Sequence, residues 1–192
     1  MAQILDLSST YTQKEVEQAV NAENEFENIE PGGYECKIVD AILNSEKKYI
    51  ELDLDITEGK FEGYFQKLED RAGFWGLKYF MSYKDAVKGK FFKTCTSINE
   101  SNPNYNFNPL NGGGADVDSL IGKKIGVVVG LEEYKSKAGE IRTKAVVSNV
   151  KRIVDIANGK FRIPELKKLE ESTNSNDEFM KLDPGASEDA PF

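Results

Sequence analysis

The sequence predicts a mainly β protein, a small five-stranded barrel with a helical and loop insertion between its third and fourth strands. Three observations carry this. Tyr49 to Ile56 alternates cleanly, with Ile50, Leu52, Leu54 and Ile56 on one face and Glu51, Asp53 and Asp55 on the other, the signature of a half-buried strand. Lys123 to Tyr134 and Ile141 to Val154 are two β-rich runs joined by a basic tip, Lys135 to Glu140, and read as a long hairpin. Between these regions, Gly73 to Ser101 mixes aromatics with lysines and reads mostly helical, particularly Tyr83 to Ile98. An all-β pattern alone also fits other sandwiches and barrels. The element between strands three and four selects the OB-fold, a partly open Greek-key barrel.

The elements follow in order. Thr12-Gln13-Lys14-Glu15 is a capping box, with Thr12 as N-cap and Glu15 reaching back, and predicts a short polar helix to about Asn24. Pro31-Gly32-Gly33 is a turn from which the first strand starts, with Tyr34 to Leu43 rich in β formers. A polar turn over Asn44 to Lys48 leads to strand two. Glu58-Gly59-Lys60 is the next turn, and Phe61 to Leu68 reads as strand three, with Phe61, Gly63 and Phe65 on one face and Glu62, Tyr64 and Gln66 on the other. Asn99 to Gly114 is a loop dense in Asn, Pro and Gly. Asp116 to Ile121 is a helical turn stopped by Gly122. Ile163-Pro164 ends the ordered body, and Leu166 to Glu170 reads as a short capping helix. The expected organisation is an acidic arm over 1–30, a barrel domain over 31–171 with its insertion at about 73–115, and a disordered acidic tail over 172–192.

Composition narrows the function. The chain has no histidine, which excludes histidine acid–base catalysis, Ser-His triads and histidine metal sites. Its two cysteines, Cys36 and Cys95, lack CxxC spacing, which suits a reducing cytosol and excludes a zinc framework. The longest apolar run, Ile125 to Leu131, falls far short of the roughly 20 residues of a membrane helix. The first residues carry neither a basic start nor a cleavable apolar segment, so the expected location is cytoplasmic. A net charge of −8 argues against nucleic acid until its distribution is read. Residues 1–30 carry −6 and residues 165–192 carry −5, leaving +3 on the body between them.

The last residues, Glu188-Asp189-Ala190-Pro191-Phe192, join carboxylates to an apolar Pro-Phe pair, suited to capture in a cleft with a basic rim. This tail resembles the tip of bacterial and phage single-stranded DNA-binding proteins. The body is similar to a phage-encoded family of the same kind, through Pro31-Gly32-Gly33-Tyr34 opening strand one and Leu120-Ile121-Gly122-Lys123 leading into the last hairpin. The resemblance covers about residues 31 to 155 plus the tail. It implies an OB-fold, binding to single strands with little sequence preference, a role in phage replication or recombination, and recruitment of replication or repair proteins through the tail. In the host bacterium it would be cytoplasmic, as a monomer or dimer, without cofactor and without catalysis.

Single-strand binding needs cations for phosphates and flat rings for bases. Two sets qualify. The first is Tyr64, Lys67, Arg71 and Trp75, on and just after the expected strand three. The second is the hairpin: Tyr134, Lys135 and Lys137, with Arg142 and Lys144 alternating along the returning strand. Each has a bland reading too. Single aromatics in a small barrel are more often core, and tip lysines also protect exposed strands. The cluster Lys84, Lys88, Lys90, Phe91, Phe92 and Lys93 reads as an amphipathic helix with solvated lysines. Tyr105 and Phe107 either stack on bases or fold back. Glu51, Asp53 and Asp55 count against DNA on the outside of strand two. They read as a solvated face, with a divalent-metal site, and so a metal-dependent nuclease, as the least supported option. Gly122-Lys123-Lys124 lacks the remaining residues of a phosphate loop. The alternative function is an acidic interaction module or nucleic-acid mimic that blocks a partner's DNA site.

Overall fold

The computed structural model describes residues 9–24 and 27–169. The expected tail over 172–192, including Glu188 to Phe192, lies outside them. Helix α1 (Gln13–Asn24) opens the described chain. Its capping box closes in both directions: the Thr12 N–H donates to Glu15 Oε2 at 2.7 Å, and the Glu15 N–H donates to Thr12 Oγ1 at 3.3 Å.

Five strands follow: β1 (Gly32–Asn44), β2 (Tyr49–Ile56), β3 (Lys78–Ser82), β4 (Lys124–Lys135) and β5 (Ile141–Lys151). All pairings are antiparallel, in the order β3-β2-β1-β4-β5. The β3 and β5 edges approach each other, so the sheet curls into a nearly closed barrel of OB-like topology. Two register shifts, one that leaves Val39 of β1 unpaired against β2 and one that leaves Ser148 of β5 unpaired against β4, bend the sheet toward closure. Inside lie Ile38, Leu52, Leu54, Met81, Ile125, Val127 and Val129, each almost fully buried. Helix α3 (Lys88–Ser101), between β3 and β4, turns Phe91, Cys95 and Ile98 into this core at helical spacing. No helix among the described residues is long and apolar enough to cross a membrane.

Strand three is not where the alternation put it. Residues within Phe61 to Leu68 form helix α2 (Tyr64–Ala72) instead, and the third strand is Lys78–Ser82. The physical reason is local. Gly63 takes φ +66 at the helix start, and Gly73 takes φ +71 at its end, where its N–H closes on the Glu69 carbonyl. Asp55 Oδ1 accepts the Phe65 N–H at 2.9 Å, satisfying a first-turn donor. The apolar set Phe61, Tyr64, Phe65 and Leu68 has helical spacing and packs on the core.

The other boundaries shift less. The insertion begins after Ser82, not at 73, because β3 falls inside the stretch that reads as helical. The returning strand of the hairpin stops at Lys151, and Ile153–Ala157 is a short helix, α4. The expected helix from Leu166 is extended chain. Lys167 makes a parallel bridge to Glu132 along the part of β4 that extends past β1.

Candidate nucleic-acid interface

Where the edges of β3 and β5 meet, the barrel surface opens into a cleft of about 1000 Å³. One wall comes from α2, the loop at 73–76 and β3, and supplies Tyr64, Leu68, Phe74, Trp75 and Phe80. The other comes from the β4–β5 hairpin and supplies Leu131, Tyr134, Arg142, Lys144 and Val146. Lys78 and Lys90 also line it.

The first wall is ring-rich, and its rings fall into two kinds. Trp75 is half-buried, and its Nε1–H donates to the Leu54 carbonyl at 3.1 Å. Tyr64 stands edge-on to Phe61 and Phe65, with centroids 5.8 and 5.1 Å away. Burial pushes its phenol above the ordinary tyrosine value, against a backbone hydrogen bond at Ile29 that lowers it. These two are fixed wall. Phe74 and Phe80 are different: 58% and 52% of their surface is exposed. Phe80 is braced from the side by Tyr49, in a T-shaped contact at 5.2 Å. A half-exposed ring steadied by an aromatic neighbour suits base stacking.

The second wall is basic. Arg142 and Lys144 stand opposite Tyr134 and Glu132 across the hairpin. The Arg142 guanidinium pairs with Glu140 at 2.7 Å. The Lys144 ammonium lies 3.9 Å from Glu132, a loose contact that leaves it available to a phosphate. From α3, Lys90 reaches over the Tyr79 ring, 5.7 Å from its centroid.

The carboxylates of strand two do not form a solvated face. Asp53 and Asp55 are buried, because α2 and Lys78 cover them. Asp55 accepts the N–H groups of Ile56 and Phe65, both at 2.9 Å. Glu51 and Asp53 hold the Lys78 ammonium at 2.6 and 3.0 Å. The Glu51 hydrogen bond is the largest cause of the upward shift of the Lys78 pKa. Burial raises the Asp53 pKa, against the pull of Lys78. Among the described residues, no three Asp, Glu, His or Cys side chains are grouped to hold a metal ion.

Of the residues singled out from sequence, Tyr64, Trp75, Tyr134, Arg142 and Lys144 meet in the cleft although they span 80 positions of chain. Lys67 and Arg71 are exposed on α2 outside the lining, with Lys67 donating to the Glu62 carbonyl at 3.1 Å. Lys135 and Lys137 sit at the hairpin end, exposed and also outside the lining. Tyr64 is a half-buried helix residue, not the outward strand residue that alternation implied. Sequence reasoning missed Phe74, Phe80, Lys78 and Lys90 as cleft residues. The alternation of Lys78, Phe80 and Ser82 against Tyr79 and Met81 was the available signal. Phe107 folds back into the core, and Tyr105 lies half-buried beneath Lys123, 4.5 Å from its ring centroid.

A second hollow, of about 350 Å³, lies beside α3 and is lined by Leu43, Phe91, Phe92, Phe107 and Leu110, with Lys88 as its one charged lining residue. It lacks the joint supply of exposed rings and several cations found in the cleft. No protein-family model matches the chain, and no curated protein matches it either.

Proposed function

We propose that the protein binds single-stranded DNA in the cleft between β3 and β5, without catalysis and with little sequence preference. One observation carries the reading: two sets of residues, far apart in sequence, meet as a ring-rich wall facing a hairpin wall that carries Arg142 and Lys144. Exposed rings accept any base by stacking, worth about 1–3 kcal/mol each, while Arg142 and Lys144 meet the backbone. A duplex hides its base faces, so this arrangement favours single strands. The alternative, an acidic mimic of nucleic acid, needs the strand-two carboxylates on display, and two of the three are buried.

The resemblance to phage single-stranded DNA-binding proteins fits this site and extends the proposal to phage DNA replication or recombination. Residues 172–192, with five acids and one lysine, would then recruit partner enzymes through Asp189-Ala190-Pro191-Phe192. Tethered to the same chain, these acids would compete with DNA for the cleft's cations. Deleting Asp183 to Phe192 is expected to tighten DNA binding most at low salt and so to steepen its salt response.

The test is a titration of labelled poly-dT and of a duplex of equal length, at several salt concentrations. Preference for poly-dT, with affinity falling as salt rises, supports the reading. Absence of a poly-dT complex at low salt overturns it.

A further inference from the structure

The segment after α4 is a strap laid along β4. Phe161 lies on Gly33, where a built Cβ would come within 2.5 Å of the ring. Pro164 lies on Gly130, where a Cβ would come within 2.7 Å of its Cγ. Both contacts need a residue without a side chain beneath them. The strap then pairs with the backbone of β4: the Lys167 N–H donates to the Leu131 carbonyl at 3.0 Å, and the Glu133 N–H donates to the Lys167 carbonyl at 2.9 Å. Beyond it, the Leu169 N–H donates to Glu133 Oε2 at 3.1 Å.

This docking decides where one carboxylate points. Glu132 has two cations within reach. Lys167 Nζ donates to its Oε1 at 2.8 Å, whereas Lys144 Nζ stands 3.9 Å from its Oε2. The hydrogen bond from Lys167 is also the largest cause that holds the Glu132 carboxyl below its usual range, with Lys144 a smaller one. Glu132 and Lys144 face each other across the hairpin, so without the strap they are each other's nearest partners.

Resting on the single-strand reading of the cleft, we infer that the strap is a positioning element and Lys167 a positioning residue: it draws Glu132 away from Lys144, leaving the Lys144 ammonium to a phosphate of the bound strand. Lifting residues 161–169 returns Glu132 to Lys144 and weakens the grip.

The experiment is a mutant cycle read by poly-dT affinity at low salt, with melting temperatures to confirm folding. Lys167→Gln is expected to lower affinity about three- to fivefold, the scale of one partly exposed ion pair. Glu132→Gln alone should change it little, yet restore the Lys167→Gln protein to the wild-type value. In a Lys144→Gln background, Lys167→Gln should have no further effect. Gly130→Ala, which crowds Pro164, should weaken binding as Lys167→Gln does, and Glu132→Gln should rescue it. If Lys167→Gln and Glu132→Gln act additively, or Lys167→Gln still weakens the Lys144→Gln protein, the strap inference is wrong while the cleft reading stands. If the wild type forms no poly-dT complex, both fall.

Discussion

The two walls of the cleft are built on opposite plans. The ring wall is anchored: Trp75 is tied to the Leu54 carbonyl, Tyr64 is wedged among phenylalanines, and Phe80 is braced by Tyr49. The hairpin wall is solvated: Arg142 and Lys144 are exposed, Arg142 in a surface pair with Glu140 and Lys144 only loosely beside Glu132. Stacking rewards a preset ring, since an ordered platform loses little entropy on binding. Phosphate contact rewards a mobile cation, which can follow a flexible backbone. The ring wall should therefore set affinity independently of salt, and the hairpin wall should set the salt response.

The largest expected effect comes from the ring wall. Phe80→Ala removes one exposed platform and should lower poly-dT affinity by about 1–3 kcal/mol with an unchanged salt slope. A changed slope would break the contrast between the walls. Next comes Arg142→Gln with Lys144→Gln, which should reduce the slope of log affinity against log salt by about 0.7 per lost phosphate contact. The double variant should keep its melting temperature, because both residues are exposed. A slope equal to wild type would remove these residues from the phosphate path.

Two further effects concern how the ring wall is supported. Asp55→Ala deletes the acceptor for the Phe65 N–H at the start of α2. It should cost about 1–2 kcal/mol of stability in chemical denaturation, the scale of a lost helix cap. The smallest effect is on pH dependence. The native Asp53 pKa is raised by burial, so between the ordinary aspartate value and the raised one the folded protein holds a proton that the unfolded chain has lost. This contribution to stability is present at low pH and is lost as pH rises through that window. Asp53→Asn should flatten it, as the difference between variant and wild type in denaturation series across the acid range.

The hairpin wall was legible in the sequence and the ring wall largely was not. Period-two alternation is plain in β2, the apolar run Ile125 to Leu131 marks the core of β4, and the basic residues of β5 alternate visibly. In Phe61 to Leu68, by contrast, Phe61 and Phe65 satisfy both a strand period and a helix period. The choice fell to Gly63, Gly73 and the distant Asp55, and the last of these acts only once the chain has folded. Strand β3 is five residues long, and its aromatic–lysine mixture also suits an amphipathic helix. The burial of Asp53 and Asp55 has the same origin, since it depends on α2 and Lys78 lying over β2. Local pattern reads local structure well. It does not read which surface a later element covers.

The central claim is a location, and cross-linking tests it directly. A poly-dT oligonucleotide carrying 5-iododeoxyuridine is irradiated with the full chain at low salt, and the adducts are mapped by peptide mass. Adducts at Phe74, Phe80 or Tyr134 are the predicted result. Adducts confined to the hollow beside α3, at Phe92 or Tyr83, with none in the cleft, would contradict it.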